Sequence, residues 1–590
     1  MVEKKKRKKK ELTYEEKAIA MARRHWVEQK QKAIRERKTF RGLQIIPTVS
    51  YYDDSHGHKP GEKNWTGMGF DLHPQVSLVS GGLVMLFIVL TLMFQEQSAV
   101  IFKDLLDSIG NTFGWLYILA ANFFVIVMVL ITLSDYGKIR LGGPDALPEF
   151  SSLSWYAMLL SAGMGIGLMF WSVAEPIMHF STPSPMFGVL PNTPEAAQAA
   201  LGLTYFHWGI HPWGIYALVG LSLAFFAYNR GLPLTIRSVF YPLLGDRIYG
   251  FWGNIIDILS VLATLFGLAT SLGLGVTQVS SGLNYLFGFP TSTGFMVMLI
   301  GGITFLAVMS IATGLDKGVK LLSIVNMCTA GVLMLFLLLI GPTVYIFKAF
   351  TQNLGFYIQN LPQLSFWVET YSGAEGSNWQ NPWTIFYWGW WISWSPFVGM
   401  FIARISKGRT VREFILGVMV FPTLLSFLWM SVFGGCALWL QATGGADIAT
   451  AVSKDVSTAL FVMLESFPLT KITSFIGILV VTIFFITSSD SGSLVVDHLT
   501  SGGKLDSPVP QRIFWGVIEG VCAATLLMGG GLVALQSASI ATGLPFTIVL
   551  LIMCYSLYRG LQEEHYHAEI IGKMEPETHK IEIPMEKIGS

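Results

Sequence analysis

Twelve stretches of roughly twenty mostly apolar residues follow one another along this chain, at 77–94, 113–134, 153–177, 205–228, 255–286, 293–313, 319–347, 381–403, 412–441, 470–492, 512–530 and 533–558. A helix needs about 20 such residues to cross the hydrocarbon core of a bilayer. Within lipid every backbone polar group must be satisfied by the protein itself, which leaves helices as the simplest solution. The pattern therefore predicts an all-α integral membrane protein of twelve transmembrane helices. Only 13% of the residues are charged and 52% are hydrophobic, whereas a soluble chain carries about 25% charged residues.

An even number of spans puts both termini on one side, and the positive-inside rule selects it. Loops on the N-terminal side carry Lys138, Arg140, Arg230, Arg237, Arg247, Arg404, Lys407, Arg409 and Arg412, among others, while the opposite loops carry only Lys103, Lys348, Lys454 and Lys471. Both termini are expected to be cytoplasmic. Sixteen Lys and Arg against six Glu lie between Met1 and Arg41. The run Lys4–Lys10 has the composition of a nucleic-acid patch, but ahead of many spans the simpler reading is an extension drawn to anionic lipid. The first apolar run begins near Val76, so no secretory leader is expected. The four cysteines, Cys328, Cys436, Cys522 and Cys554, fall inside apolar runs, where neither a disulfide framework nor a metal site is expected.

The expected organisation is a basic extension over 1–75, two plain peripheral helices over 76–147, a core over 148–558 and an acidic tail over 559–590. Within the core, two sets of five spans cover about 153–347 and 381–558. Between them the polar, aromatic segment 350–371 reads as an interfacial helix. Each set opens with an irregular segment, Ser161–Gly167 (SAGMGIG) and Trp388–Phe397 (WGWWISWSPF). Irregular segments in matching positions of two halves point to an inverted repeat with a site at the midplane.

In the first segment Gly163, Gly165 and Gly167 alternate around Met164 and Ile166. Each glycine weakens a helix by about 1 kcal/mol relative to Ala. A break there exposes backbone groups, which at membrane depth is tolerable only around a cavity. Half-helix N-termini can hold a carboxylate and unwound carbonyls a cation. Close helix packing through small residues is the alternative. In the second segment Trp383, Trp388, Trp390, Trp391 and Trp394 lie within twelve residues. That is about 16 Å of helix, too deep for an aromatic belt at the headgroups. Trp383, Tyr387, Trp390, Trp391 and Trp394 recur at three- and four-residue spacing and share a face. Phe206, Trp208, Trp213 and Tyr216 form a second aromatic group. Aromatic cages hold quaternary ammonium groups, which cannot donate hydrogen bonds. The chemistry points to a methylated ammonium ligand, with sugars and aromatic ligands as alternatives.

GMGIGLMFWSVAEP, FHWGIHPWGIYALVGL, ATLFGLATSLGLG, WTIFYWGWWISWSPFVGMFIARISKGRTVREFILG and TIFFITSSDSGS closely resemble the betaine/choline/carnitine transporter family, from roughly Pro148 to Tyr558. The resemblance implies two N-terminal helices followed by a five-plus-five inverted repeat, the LeuT-like arrangement of neurotransmitter–sodium symporters, in trimers of a bacterial inner membrane. It implies an aromatic box of Trp208, Trp213, Tyr216 and Trp391, with Trp394 beside it and Trp390 on the release path. It implies a substrate carboxylate near Gly163, Met164 and Gly165. A sodium site falls on the carbonyls of Ser161, Met164 and Phe484 and the hydroxyls of Thr487 and Ser488. Read without the family, Thr487 and Ser488 bond back to their own helix equally well.

A second sodium site would use Thr264, with Phe397 nearby. The next expected threonine is Leu268, which offers no oxygen to a hard cation, so the number of coupling ions stays open. Gly167 stands where proton-coupled choline carriers of the family tend to place Asp, which favours a zwitterion and sodium coupling. The substrate implied is glycine betaine, with dimethylsulfoniopropionate, or choline or carnitine by proton coupling or exchange, as alternatives. No resident cofactor, nucleic-acid partner or enzymatic activity is expected.

Glu175, Asp257 and Asp490 are expected at span ends in interhelical pairs rather than a proton relay. His207 and His211 are expected to be hydrogen-bonded interior residues, with no third ligand or carboxylate beside them.

Overall fold

The computed structural model describes residues 60–163, 165–313, 316–371, 378–504 and 506–578, with a short strand pair Thr39–Phe40 and Leu43–Gln44 ahead of them. The basic run Lys4–Lys10 and the end of the tail lie outside these residues, as does Met164. A small hairpin, Trp65–Gly67 against Phe70–Leu72, leads into a protein made otherwise of helices.

Fourteen helices matter for the argument. They are α1 (Pro74–Met93), α2 (Gln95–Leu133), α3 (Ser152–Gly163), α4 (Ile166–Ser181), α5 (Pro194–Trp208), α6 (Ile210–Ala224), α7 (Phe251–Phe287), α8 (Thr293–Thr313), α9 (Asp316–Ile340), α10 (Thr343–Phe366), α11 (Phe386–Ile405), α12 (Val411–Thr443), α13 (Thr470–Thr500) and α14 (Val509–Thr578). Among the described residues nine helices are long and apolar enough to cross a membrane, and the bent pair α3–α4 makes a tenth.

Local chemistry explains where several of them start. His73 and Pro74 open α1, and Thr193 and Pro194 open α5, because proline suits the first turn, where its missing N–H has no partner to lose. Thr410 accepts the Glu413 N–H at 3.1 Å to open α12, half of a capping box. One turn of π-helix, Asn381–Ile385, precedes α11.

Burial separates periphery from core. A third of the apolar window of α1 is buried, against 89% of that across Pro194–Asn229. The exposed Leu78, Leu83, Leu86 and Leu90 of α1 form the kind of surface that hydrocarbon covers. Every residue of α11 from Phe386 to Met400 is buried. Low charge therefore has two causes here, lipid outside and a packed core inside.

Several expected boundaries move. The apolar run expected over 319–347 ends at Ile340, and the interfacial helix expected over 350–371 is α10, which starts at Thr343 and ends at Phe366. Gly341-Pro342 separates the two helices, since proline removes a helix N–H and clashes with the preceding turn. The span expected over 205–228 starts earlier, at Pro194, and breaks at Gly209, whose ψ of −139° lies outside the helical range. The break lies close ahead of Pro212, which has no N–H to offer the helix.

α14 kinks at Gly530 and Gly531, between the last two expected spans. Gly531, with φ 60° and ψ −135°, occupies a backbone region that only glycine visits without strain.

Candidate substrate and ion site

The break between α3 and α4 bends the pair by 66°, with Gly165 in extended backbone at the N-cap of α4. Trp rings fill the space where side chains would stand. A Cβ on Gly165 would lie 3.3 Å from the ring of Trp394, and one on Gly167 would collide with the ring of Trp390. These two glycines thus let a helix backbone approach the tryptophan helix α11 closely.

Trp390 and Trp391 stack on one another, centroids 4.8 Å apart and 13° from parallel. Trp391 meets Trp208 at 4.9 Å and 74°, and Tyr216 at 6.3 Å and 80°, while Tyr216 meets Trp213 at 5.7 Å and 84°. Trp208, Trp213, Tyr216 and Trp391 therefore form a connected set of rings whose neighbours stand nearly perpendicular. Four indole N–H groups are held away from the faces. Trp391 donates to the His207 carbonyl at 3.0 Å, Trp394 to the Gly267 carbonyl at 3.0 Å, Trp390 to Ser271 Oγ at 3.2 Å, and Trp208 to Glu175 Oε2 at 2.9 Å. The break at Gly209 is closed by side chains, since the Ile210 N–H donates to the Tyr357 hydroxyl at 3.3 Å. Trp383 and Trp388 belong elsewhere. Trp383 lies against His179 and Trp171, and Trp388 stacks on His211 at 5.3 Å and 21°.

Glu175 is the feature that position along the chain misplaces. It is fully buried inside α4, not at a span end. Its Oε2 accepts from the Tyr387 hydroxyl at 2.6 Å as well as from Trp208, and its Oε1 lies 2.6 Å from His207 Nδ1 and 3.4 Å from His179 Nε2. The expectation that no carboxylate accompanies His207 is therefore wrong. His207 reaches back to Glu175 and His179 on the preceding span, with ligand-type atoms within 4.8 Å of one another, while His211 turns away to Asn122 Oδ1 at 3.0 Å. Both histidines are hydrogen-bonded interior residues. Asp257 pairs with Arg237, and Asp490 accepts from Ser310 at 3.2 Å. The signal for Glu175 was the sequence itself, a carboxylate inside an apolar run, which has to be paired; its partners were not readable because they come from other helices.

A cavity of about 90 Å³ opens beside Trp394, and Ser161, Phe484, Thr487, Ser488 and Phe397 are also among the residues lining it. The hydroxyl of Thr487 donates back to the Ile483 carbonyl at 3.0 Å, and that of Ser161 to the Met158 carbonyl at 3.0 Å. A back-bonded hydroxyl still keeps acceptor lone pairs. Asn326 of α9 also faces this cavity, with both amide atoms buried and lacking hydrogen-bond partners. Sequence reasoning missed it because one asparagine in an apolar run carries no periodic signal. Phe397 therefore sits at this cavity, whereas Thr264 is not part of its lining and donates to the Ser260 carbonyl at 2.7 Å. Leu268 is fully buried and packs where a side chain on Gly492 would stand.

Residues 75–566 match the profile described as BCCT, betaine/carnitine/choline family transporter. The chain belongs to the betaine/carnitine/choline transporter family. Among its relatives is glycine betaine transporter 1 of Vibrio parahaemolyticus, 50% identical over 525 residues that cover 87% of this chain and 98% of the relative. A glycine betaine/proline/choline transporter of the same organism is 47% identical over 510 residues, covering 84% of this chain and 91% of the relative. The glycine betaine transporter OpuD of Bacillus subtilis is 49% identical over 456 residues, 77% of this chain and 88% of the relative. The betaine/carnitine/choline transporter match takes in the ring set, the broken α3–α4 pair and the hydroxyl-lined cavity, so all three belong to the part of the chain that the family shares.

Proposed function

We propose that the chain is a secondary active transporter that imports a zwitterionic quaternary-ammonium osmolyte, glycine betaine in the first place, driven by sodium. In this reading the protein crosses a bacterial inner membrane twelve times with both termini in the cytoplasm. Two N-terminal helices precede a five-plus-five inverted repeat, and the working assembly is a homotrimer that serves osmotic protection.

The observation that carries the reading is the ring set Trp208, Trp213, Tyr216 and Trp391. Anchored indole N–H groups leave ring faces for a cation that has no hydrogen to donate, and each desolvated contact of that kind contributes about 2 kcal/mol or more. The Gly163–Gly165 break beside it suits the carboxylate end of a zwitterion, as half-helix N-termini do. The ring of Trp390 leaves no space for a carboxylate at position 167, which favours a substrate that brings its own. Dimethylsulfoniopropionate fits the same chemistry, and the relative named for proline and choline makes a broader range the second reading.

Sodium coupling is supported by the cavity where Ser161, Phe484, Thr487 and Ser488 meet. A hard cation takes oxygen ligands, and hydroxyls and carbonyls supply them there. Each positive charge moved inward gains about 2.3 kcal/mol per 100 mV, enough to concentrate a neutral zwitterion. A second sodium at Thr264 is not part of the proposal.

The test is substrate-induced tryptophan fluorescence across a panel of betaines, with uptake into proteoliposomes with and without sodium. Trp391→Leu is expected to weaken betaine binding by roughly 30-fold, the equivalent of about 2 kcal/mol. An unchanged affinity in that variant removes the cage, and uptake indifferent to sodium removes the coupling.

A further inference from the structure

The transport reading makes no use of a second fully buried carboxyl, Glu519. It lies ten residues into α14, or about 15 Å along the helix axis. Ser489 Oγ donates to its Oε2 at 2.9 Å, and Ser493 Oγ reaches the same oxygen at 3.3 Å while also donating to the Ser489 carbonyl at 2.6 Å. Its Oε1 is buried and has no hydrogen-bond partner. That oxygen lies against Gly492 of α13, beside the Leu268 side chain from α7.

Three occupants of this place can be compared. A bare carboxylate has no cation to offset it, because no Lys, Arg or His forms an ion pair with Glu519 among the described residues. Such a group at membrane depth costs several kcal/mol. Asp490, the acidic group on α13 that faces Glu519, accepts from Ser310 of α8 and supplies no positive charge. Among the described residues, Thr304 of α8 lies against Gly520, Leu268 comes from α7, and Cys522 is on α14 itself, none of them a cation. A sodium ion needs several oxygen ligands, and Oε1 meets a leucine side chain and a glycine. A proton needs one oxygen. Ser493 gives its hydrogen to the Ser489 carbonyl, so its Oγ can accept a proton carried on Oε2, whereas a proton on Oε1 would meet no acceptor.

We propose that Glu519 is a proton-binding site in the membrane interior, its carboxyl occupied by one exchangeable proton and linked to the position of α13. Both serines that meet the carboxyl belong to α13, and Ser489 directly follows Ser488, which lines the ion cavity. A shift of α13 by 1–2 Å, of the size typical when packed helices slide, withdraws those partners. Linkage is reciprocal, so the proton biases the position of α13 as much as α13 biases the proton. The consequence for uptake rests on the transport reading; the proton site itself does not.

The deciding measurement is infrared difference spectroscopy of the purified full-length chain across a pH series. A carboxylic-acid C=O band that shifts on deuteration is expected, lost in Glu519→Gln and retained in Glu175→Gln. In Ser489→Ala/Ser493→Ala, where Glu519 remains, the band should move. A band identical in wild type and Glu519→Gln, or no acid band at any pH, overturns the site. Should Glu519→Gln not fold, an unmoved band in the double serine variant overturns it instead. Uptake in proteoliposomes is expected to fall at alkaline pH in wild type and to be flat in Glu519→Gln, and superimposable profiles overturn the linkage to α13. Absence of uptake under all conditions would sink the transport reading and leave the infrared result to decide the proton site.

Discussion

At the scale of single residues, the polar anchor of the ring set is Glu175. Hydrogen bonds to an ionised group are roughly twice as strong as neutral ones, and Glu175 takes them from Trp208 and Tyr387 together. Glu175→Gln removes that charge and turns an amide N–H₂ toward groups that themselves donate. It is expected to weaken betaine binding by about 1–3 kcal/mol, measured by fluorescence titration, with Glu175→Asp recovering part of the loss. His73 supplies a pH prediction outside the membrane. Burial, followed by the charges of Arg237 and Lys63, holds its imidazole down at about 4, well below the ordinary value near 6.5. The unfolded chain therefore binds this proton more readily than the folded one. Stability contributed by neutral His73 is complete above about pH 6.5 and declines as pH falls toward 4, so thermal unfolding in detergent should show a lower Tm across that window. His73→Gln should flatten that part of the profile. Spacing grouped Trp390, Trp391 and Trp394, because residues three and four apart share a helix face, but it also included Trp383, which packs against His179 and Trp171 instead. The partners of Glu175 were not legible, since 175 lies on α4, 207 and 208 on α5 and 387 on α11, and their meeting is a matter of tertiary packing.

At the scale of elements, apolar runs marked the helices well, and glycine and proline marked their breaks less well. The break at Gly209 stayed hidden because the apolar run continues across it. The Gly341-Pro342 stop was passed over because apolar residues flank both sides. The kink at Gly531 offers the cleanest test. A Cβ there would meet no atom within 4 Å, so the cost of Gly531→Ala is purely conformational, about 1–3 kcal/mol for a non-glycine residue held in a sparsely populated region. The expected result is a lower unfolding temperature with betaine affinity unchanged, and a simultaneous loss of binding would mean that the kink also shapes the ring set.

At the scale of the whole molecule, α14 runs past the last apolar stretch and is fastened to the loop after α6. Arg230, itself buried, reaches Glu564 at 3.0 Å, Glu563 at 3.6 Å and the Gly560 carbonyl at 3.1 Å. Removing one partner of a buried ion pair costs about 3–5 kcal/mol, because the other charge stays behind. Arg230→Ala should therefore destabilise the protein, and limited proteolysis should cut sooner after Arg559. Arg230→Ala combined with Glu563→Gln and Glu564→Gln should recover much of the loss.

The indole hydrogen bonds tie the ring set to this larger scale. Trp391 is fastened to α5, Trp208 to α4, and Trp390 and Trp394 to α7. The cradle and the joints between helix bundles are one object, like a keystone that is also a hinge pin. Neither α5 nor α7 can slide along α11 without tugging on a ring, so a molecule lodged among those rings is felt at once by three helices.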